Sequence, residues 1–236
     1  AGILWFGWFG FNAGSALAAN GLAAQAFIAT NTATGAAVLG WCLTDYLRRR
    51  KTTTLGAASG AVAGLVAITP AAGYVGPMAS IAIGLAAGVV CAWAVGLKYK
   101  AGYDDALDVV GVHAVGGMLG ALLIGVFADT AFNELGADGL LAGGGLALLG
   151  KQAVAVVATL AFSFILSFGI LKLVDLVVGL RVTEEEELSG LDISQHEEVG
   201  YAFAEGGGAV SQVPAGHAAP PERAPSTVRV PQGDLG

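Results

Sequence analysis

Long uncharged runs alternate with short clusters of charged residues over the first 180 residues of this 236-residue chain. Turn residues and charges divide this part of the chain into six apolar segments: residues 1–18, 23–47, 55–72, 75–97, 107–128 and 146–180. A helix needs about 20 residues to cross the hydrocarbon layer of a bilayer. The pattern therefore predicts an all-α fold, a polytopic bundle of transmembrane helices over residues 1–180.

The first and last segments differ from the length of about 20 residues that one membrane span needs. The chain starts inside an apolar, aromatic run that has no cap and no flanking charge, so we interpret the first segment as truncated. The last segment is longer than one span requires, and we expect it to tilt or to protrude from the bilayer. Glycines recur at four-residue spacing in several segments, which is typical of helices that pack closely.

The composition agrees with a membrane protein and places the net charge in the tail. Hydrophobic residues make up 55% of the chain and charged residues only 12%, whereas roughly a quarter of the residues are charged in soluble domains. Residues 181–236 hold ten acidic and three basic residues, and residues 1–180 hold eight of each. The net charge of −7 therefore belongs to a solvated appendage and indicates no nucleic-acid partner.

This acidic appendage divides into two parts. Residues 181–204 include Thr183 and Glu186 at the spacing of a helix capping box, and we expect this cytoplasmic, regulatory segment to order or to dock. Residues 205–236 are rich in Gly, Pro and Ala, and we expect them to be disordered.

Lysine and arginine predict the orientation in the membrane. They cluster after the second, fourth and sixth segments, at residues 48–51, at 98 and 100, and near 172 and 181. The connections around residues 20, 73 and 129–145 contain neither residue. Because basic loops face the cytoplasm, we expect a multi-pass protein of the cell (inner) membrane with a cytoplasmic C-terminus.

His113 is the one histidine within the six apolar segments. An ionisable residue inside a membrane span is a functional hypothesis by default, although a histidine satisfied within a packed core is the alternative. Gly116, Gly117 and Gly120 follow at helical spacings, so we expect them to share its face and to let a helix or a narrow lumen approach the imidazole.

An aromatic stretch near the end of the first segment predicts a second site. A ring face attracts ammonium-like ions and a hydroxyl accepts their protons, so one of these rings, together with Ser15, suits an external cation site. Trp8 and Phe11 belong to this stretch. An aromatic belt at the membrane interface is the alternative.

Asp108, Thr69 and Trp8 complete the set of candidate site residues. Asp104, Asp105 and Asp108 mark the cytoplasmic start of the fifth helix. Helix capping is the favoured role for Asp104 and Asp105, whereas the role of Asp108, which lies nearest the apolar run, stays open. Thr69 precedes Pro70, and interhelical hydrogen bonding is its ordinary explanation. We assign structural or conduction-supporting roles to Asp108, Trp8 and Thr69, and we interpret Trp41 and Trp93 as interfacial anchors.

The two cysteines do not suggest a metal site. Cys42 and Cys91 lie in apolar runs with no Cys or His at ligand spacing, so we interpret both as small core residues. We expect no disulfide, no metal and no cofactor.

Five stretches together resemble the ammonium transporter (Amt) branch of the Amt/Rh superfamily. They are GWFGFNAGSA from Gly7, ATNTATGAAVLGW from Ala29, LGAASGAVAGLVAITPAAGYV from Leu55, DDALDVVGVHAVGG from Asp104 and GLRVTEEEELSGLDISQH from Gly179. The resemblance implies an eleven-span fold of two inverted repeats plus a long final helix. The six segments then correspond to the C-terminal half, about spans six to eleven.

The resemblance also implies roles for individual residues. His113 resembles one of two paired histidines in an apolar pore, Phe11 resembles a gating phenylalanine, and Ser15 resembles the serine of the external ammonium site. It further implies a homotrimer that carries ammonium or ammonia through one pore per subunit, with residues near the tail contacting a PII-type signalling protein. A transport protein of this kind is not an enzyme.

Two alternatives remain at this point. An ammonium sensor with the same bundle could signal through its tail and conduct little. A non-functional fragment is the other alternative, because one inverted repeat cannot close a pore by itself.

Overall fold

The computed structural model describes residues 1–200, and these residues form helices joined by turns. The predicted disordered tail, residues 205–236, lies outside the described residues. Two compact units are present: residues 1–173, and a second unit that starts at Val174. The α-helices are α1 (Gly2–Gly14), α2 (Gly21–Arg49), α3 (Thr54–Ile68), α4 (Pro77–Ala94), α5 (Leu97–Ala101), α6 (Val115–Phe127), α7 (Ala147–Val177), α8 (Glu184–Ser189) and α9 (Leu191–His196).

Four helical stretches within residues 1–200 are long and apolar enough to cross a membrane. They are α2, α4 continued through α5, α6 with the turn that precedes it, and α7. At 1.5 Å per residue, the 31 residues of α7 extend about 46 Å, which exceeds the hydrocarbon thickness of about 30 Å. The all-helical, polytopic architecture is as predicted.

Helices α1 and α3 are shorter than the segments that predicted them. Helix α3 ends at Ile68, and the backbone N–H of Thr69 donates to Val66 O in a tighter turn. Pro70 has no N–H to continue the helical ladder, which accounts for this end. Helix α1 ends at Gly14, and Leu17 adopts a left-handed backbone with φ of 56°.

Close packing of α2 against α4 depends on glycine. Gly84 and Gly88 face the backbone of Ala33 and Ala37, so closely that a Cβ on either glycine would collide with a carbonyl oxygen. This contact accounts for the four-residue spacing in α4. The same spacing in α1 has no such cause, because Gly10 has no neighbour of this kind within 4 Å.

The buried core lies among α2, α3, α4 and α6. Its largest enclosed side chains include Leu65, Ile68 and Ile83. Trp41 also belongs here: it is only 5% exposed and packs with Ala63 and Cys91. The prediction of an interfacial role for Trp41 is therefore wrong, because α3 covers the indole.

The second unit, described to Gly200, contains α8 and α9. Thr183 Oγ1 accepts from the backbone N–H of Glu186, and the Glu186 carboxylate accepts from the backbone N–H of Thr183. The predicted capping box is thus present. The hydrogen bond from the Thr183 N–H holds the pKa of Glu186 below its ordinary value.

Candidate functional site

His113 lies in a widened turn at the start of its helix. Residues Val110–Ala114 form a π-helical turn, which the backbone N–H of Val115 closes by donating to Val110 O. Single π-helical turns are rare, and those that occur often lie at functional sites. The turn continues directly into α6, so His113 is held on a continuous helical stretch rather than on a loop.

The imidazole of His113 faces a groove between α6 and α7. The groove has a volume of about 310 Å³, and the side chain of His113 is exposed in this chain. One wall holds Gly117 and Met118 beside the histidine, and the facing wall holds Gln152 and Thr159 among apolar residues of α7. The groove presents an ionisable ring to an almost entirely apolar surface.

The glycines near His113 divide between two faces. Gly117 lines the groove with the histidine, whereas Gly116 and Gly120 are buried against α3 and α4. A Cβ on Gly120 would collide with the backbone carbonyl of Ala67. The expectation that all three glycines share the histidine's face is therefore wrong, because the exposed imidazole lies on the face opposite to this packing.

Charged residues fix the first turn of this helix. Lys98 Nζ lies 2.7 Å from Asp108 Oδ1, and both side chains are largely covered. The carboxylate of Asp105 accepts from the backbone N–H groups of Val109 and Val110 at 2.7 and 2.9 Å. The capping role predicted for Asp105 is confirmed, and Asp108 is part of an ion pair.

The predicted cation-site residues meet at the other end of the bundle. Phe11, Ser15 and Thr69 line one cavity of about 170 Å³. Trp8 Nε1 donates to Thr69 Oγ1 at 2.7 Å, and the rings of Trp8 and Phe11 lie 5.7 Å apart. Phe11 is 63% exposed in this chain. These four residues thus form one cluster, and His113 lines a different cavity.

A buried amide supports this cluster. Asn12 is 8% exposed, and its Nδ2 donates to Thr30 Oγ1 at 2.9 Å. Ser15 Oγ donates to Phe11 O at 2.7 Å, which leaves the oxygen lone pairs of Ser15 as acceptors. The hydroxyl is therefore arranged to accept a proton donor that enters the cavity.

The connection between α6 and α7 borders the same cavity. Its residue Asn133 lines the cavity together with Tyr74, and the backbone N–H of Asp129 donates to Tyr74 O at 3.0 Å. Within the connection, the backbone N–H of Thr130 donates to Asp138 and holds the pKa of that carboxyl below its ordinary value. The bond to Tyr74 joins the connection to the bundle, and the bond to Asp138 closes the connection on itself.

Sequence reasoning missed three features of the site. The π turn has no recognisable signal in residues 110–114. The Asn12–Thr30 bond joins two segments, and residue patterns within either one do not reveal their register. Lys98 lies ten residues before Asp108, and this spacing predicts an ion pair only if the conformation of the intervening turn is known.

Within residues 1–200, no group of three or more His, Cys, Asp or Glu side chains is arranged to hold a metal ion. The long apolar helices, the histidine inside a span and the aromatic cluster at one end together define a multi-pass, helical membrane protein. A sequence model of the Ammonium Transporter Family matches residues 1–201. The chain belongs to the ammonium transporter family.

Curated relatives agree with this assignment. The chain is 55% identical over 200 residues to an ammonium transporter of Bacillus subtilis, which covers 84% of this chain and 49% of the relative. It is 47% identical over 201 residues to the ammonium transporter Amt1 of Archaeoglobus fulgidus, covering 85% and 50%. The chain thus spans about half the length of the curated relatives it matches.

Solved structures share the fold. Candida albicans Mep2 is similar with a TM-score of 0.72 at 36% identity, over 78% of this chain and 42% of the Mep2 chain. A protein described as a sensor Amt protein is similar with a TM-score of 0.73 at 34% identity, over 81% and 46%. The helix arrangement is therefore that of the family.

Proposed function

We propose that this chain supplies one half of a membrane pore for ammonium or ammonia, with His113 lining the pore. The observation that carries the proposal is the exposed imidazole of His113, held by a π turn on the groove between α6 and α7. Membership of the ammonium transporter family supports the substrate. The uncovered groove is the surface against which a second half, with a partner for His113, would pack.

The chemistry of the groove suits ammonia better than a bare cation. An apolar lining strongly disfavours an unpaired charge. Neutral ammonia can hydrogen-bond to an imidazole nitrogen, which accepts or donates according to its tautomer. Ammonium that releases its proton before it reaches His113 would therefore pass, and potassium, which has no proton to release, would be excluded.

We further propose that the cavity at Phe11 and Ser15 recruits ammonium on the outer side. The acceptor lone pairs of Ser15 and the neighbouring aromatic faces of Trp8 and Phe11 support this role. Phe11 would gate the entrance to the pore. Thr69 keeps the Trp8 ring in place through the hydrogen bond to its indole.

The remaining parts of the proposal concern the membrane and partners. The basic residues at the ends of α2 and α5 support a cytoplasmic location for those ends and for residues 181–204, in the cell (inner) membrane. Resemblance to the family supports a homotrimer. It also supports contact between residues 181–204 and a PII-type signalling protein.

Methylammonium uptake tests the pore. Residues 1–200 would replace the aligned segment of the Bacillus subtilis relative, and the chimera would be expressed in cells without ammonium uptake of their own. We expect His113→Ala to reduce uptake at least about tenfold. Met118→Ala, on the same wall of the groove, is the control. Equal uptake by the chimera and its His113→Ala variant would overturn the assignment of His113.

An ammonium sensor is the second candidate, because one solved structure of similar fold is described as a sensor Amt protein. A sensor would give an ammonium-dependent change at α8 and α9 even when conduction is blocked. Hydrogen exchange of those two helices in the His113→Ala chimera, with and without ammonium, separates the candidates. A response that persists without uptake favours the sensor.

A further inference from the structure

The first turn of the His113 helix is tied to Lys98 by two contacts. Lys98 Nζ lies 2.7 Å from Asp108 Oδ1, and it donates to Asp105 O at the same distance. The lysine comes from α5, at the end of the span that α4 and α5 form together. One ammonium group therefore holds both the side chain at the helix start and the main chain of the residue that caps it.

The backbone at Asp108 requires such support. Its φ of +57° lies in the left-handed region, which residues other than glycine rarely adopt and which Asp and Asn tolerate best. Asp108 O then accepts from the backbone N–H of Val112 at 2.9 Å, next to His113 in the π turn. A strained residue thus lies two positions before the turn that presents the imidazole, and strain of this kind persists only where its surroundings enforce it.

Neighbouring contacts restrict the other movements of this turn. Gly111 faces Val95 so closely that a Cβ on it would contact the Val95 backbone. Asp105 caps the N–H groups of Val109 and Val110 with both carboxylate oxygens. The turn is thus packed against Val95 and capped by Asp105, and the Lys98 contact adds a tie at Asp108, where the helix starts.

We propose that Lys98 is a positioning residue that sets the orientation of His113. It acts through Asp108 and the Asp105 carbonyl and does not itself contact the substrate. The proposal rests on the proposed role of His113 in the pore. Because partly exposed ion pairs contribute little to stability, loss of Lys98 should alter the orientation of the imidazole more than the folding of the chain.

Uptake by the chimera described above provides the first test. We expect Lys98→Met and Asp108→Asn each to lower methylammonium uptake about tenfold at unchanged membrane abundance, since small misplacements of a site residue have large effects on rate. Asn tolerates the left-handed backbone, so Asp108→Asn removes the charge without new strain. The double variant should be no worse than Lys98→Met alone, because Lys98→Met already removes the contact with Asp108.

Two matched variants serve as controls. Lys98→Arg keeps a cation at the site and should restore uptake to within about threefold. Lys100→Met removes an exposed lysine two residues further along α5 and should leave uptake unchanged. Normal uptake by Lys98→Met, or an equal loss in Lys98→Arg, would overturn the proposal.

The imidazole itself gives the second readout, independent of transport. Chain labelled with ¹⁵N-histidine and reconstituted in liposomes contains three histidines, and the signal absent from His113→Ala identifies His113. We expect Lys98→Met to shift or broaden that signal and Lys100→Met to leave it in place. An unchanged signal in Lys98→Met overturns the positioning role, even if uptake falls. Undiminished uptake by His113→Ala instead overturns the pore function, and the spectra still decide what Lys98 does.

Discussion

The two faces of the helix that carries His113 differ in how completely the chain covers them. On one face Gly116 and Gly120 are buried against α3 and α4. On the other face His113 and Gly117 line a groove whose far wall is α7. The covered face is fully packed, and the groove face carries the proposed pore residue with its imidazole exposed. Stability and function should therefore respond to different substitutions on the same helix.

Gly120 and Ala121 give the sharpest comparison, because they are adjacent and yet Gly120 packs against Ala67 whereas Ala121 lines the groove. Gly120→Leu would force a side chain into the backbone of Ala67, which cannot move away. We expect a loss of about 3 kcal/mol in the free energy of unfolding. Ala121→Leu points into the groove and should change it by no more than about 0.5 kcal/mol.

Reversible unfolding of the chain in mixed detergent micelles measures both values. Equal destabilisation by Gly120→Leu and Ala121→Leu would contradict the prediction, because it would mean that the groove is as tightly packed as the face that carries Gly120.

The cavity lined by Phe11 and Ser15, at the other end of the bundle, allows a similar comparison of two substitutions with smaller expected effects. Asn12→Ala removes a buried donor to Thr30 and leaves an unfilled space, and we expect a loss of about 1–2 kcal/mol. Ser15→Ala removes an exposed hydroxyl that bonds only within its own turn and should cost less than about 0.5 kcal/mol. The same unfolding measurement compares them, and a larger loss for Ser15→Ala would assign Ser15 to the scaffold.

The smallest effect is expected in the second unit, at the capping box of α8. The pKa of Glu186 is lowered in the folded helix. The stabilisation that its carboxylate gives to the helix is therefore fully present above the ordinary pKa of 4.5 and is lost as the pH falls through the lowered pKa. Thr183→Ala removes the side-chain cap, and amide hydrogens of α8 should exchange about fivefold faster.

Hydrogen exchange at two pH values checks this prediction, with Glu185→Gln in the same turn as the control. The Thr183→Ala effect should be larger at pH 6 than once Glu186 is protonated, because the ionised carboxylate also accepts from the Thr183 hydroxyl, whereas the cap of Thr183 Oγ1 on the Glu186 N–H is present at both values. An effect of equal size at both values would show that the reciprocal bond to Glu186 does not stabilise the helix.

The sequence predicted the scaffold better than the site. Uncharged runs indicated the helices, and Thr183 with Glu186 indicated a cap, because both signals are local. The interfacial role predicted for Trp41 was wrong because a tryptophan in an apolar run can lie either at a membrane interface or beneath a neighbouring helix. The prediction that Gly116 shares a face with His113 was wrong for a similar reason: helical spacing alone does not reveal where neighbouring helices pack or where a π turn precedes the α-helix.

The site could be predicted only in part. Phe11 and Ser15 lie within one helical turn, so their proximity follows from spacing. Their cavity also needs Thr69 and Asn133, which come from distant parts of the chain. The pairing of Lys98 with Asp108 depends likewise on the turn after α5, which no residue pattern specifies.

Ammonium flux into liposomes tests the central claim most directly. Three preparations would be compared under an imposed ammonium gradient: this chain alone, the chimera with the Bacillus subtilis relative, and the chimera with His113→Ala. We predict flux in the chimera, none for potassium, and little in the chain alone or in the His113→Ala chimera. Equal ammonium flux in the chimera with and without His113 would contradict the account.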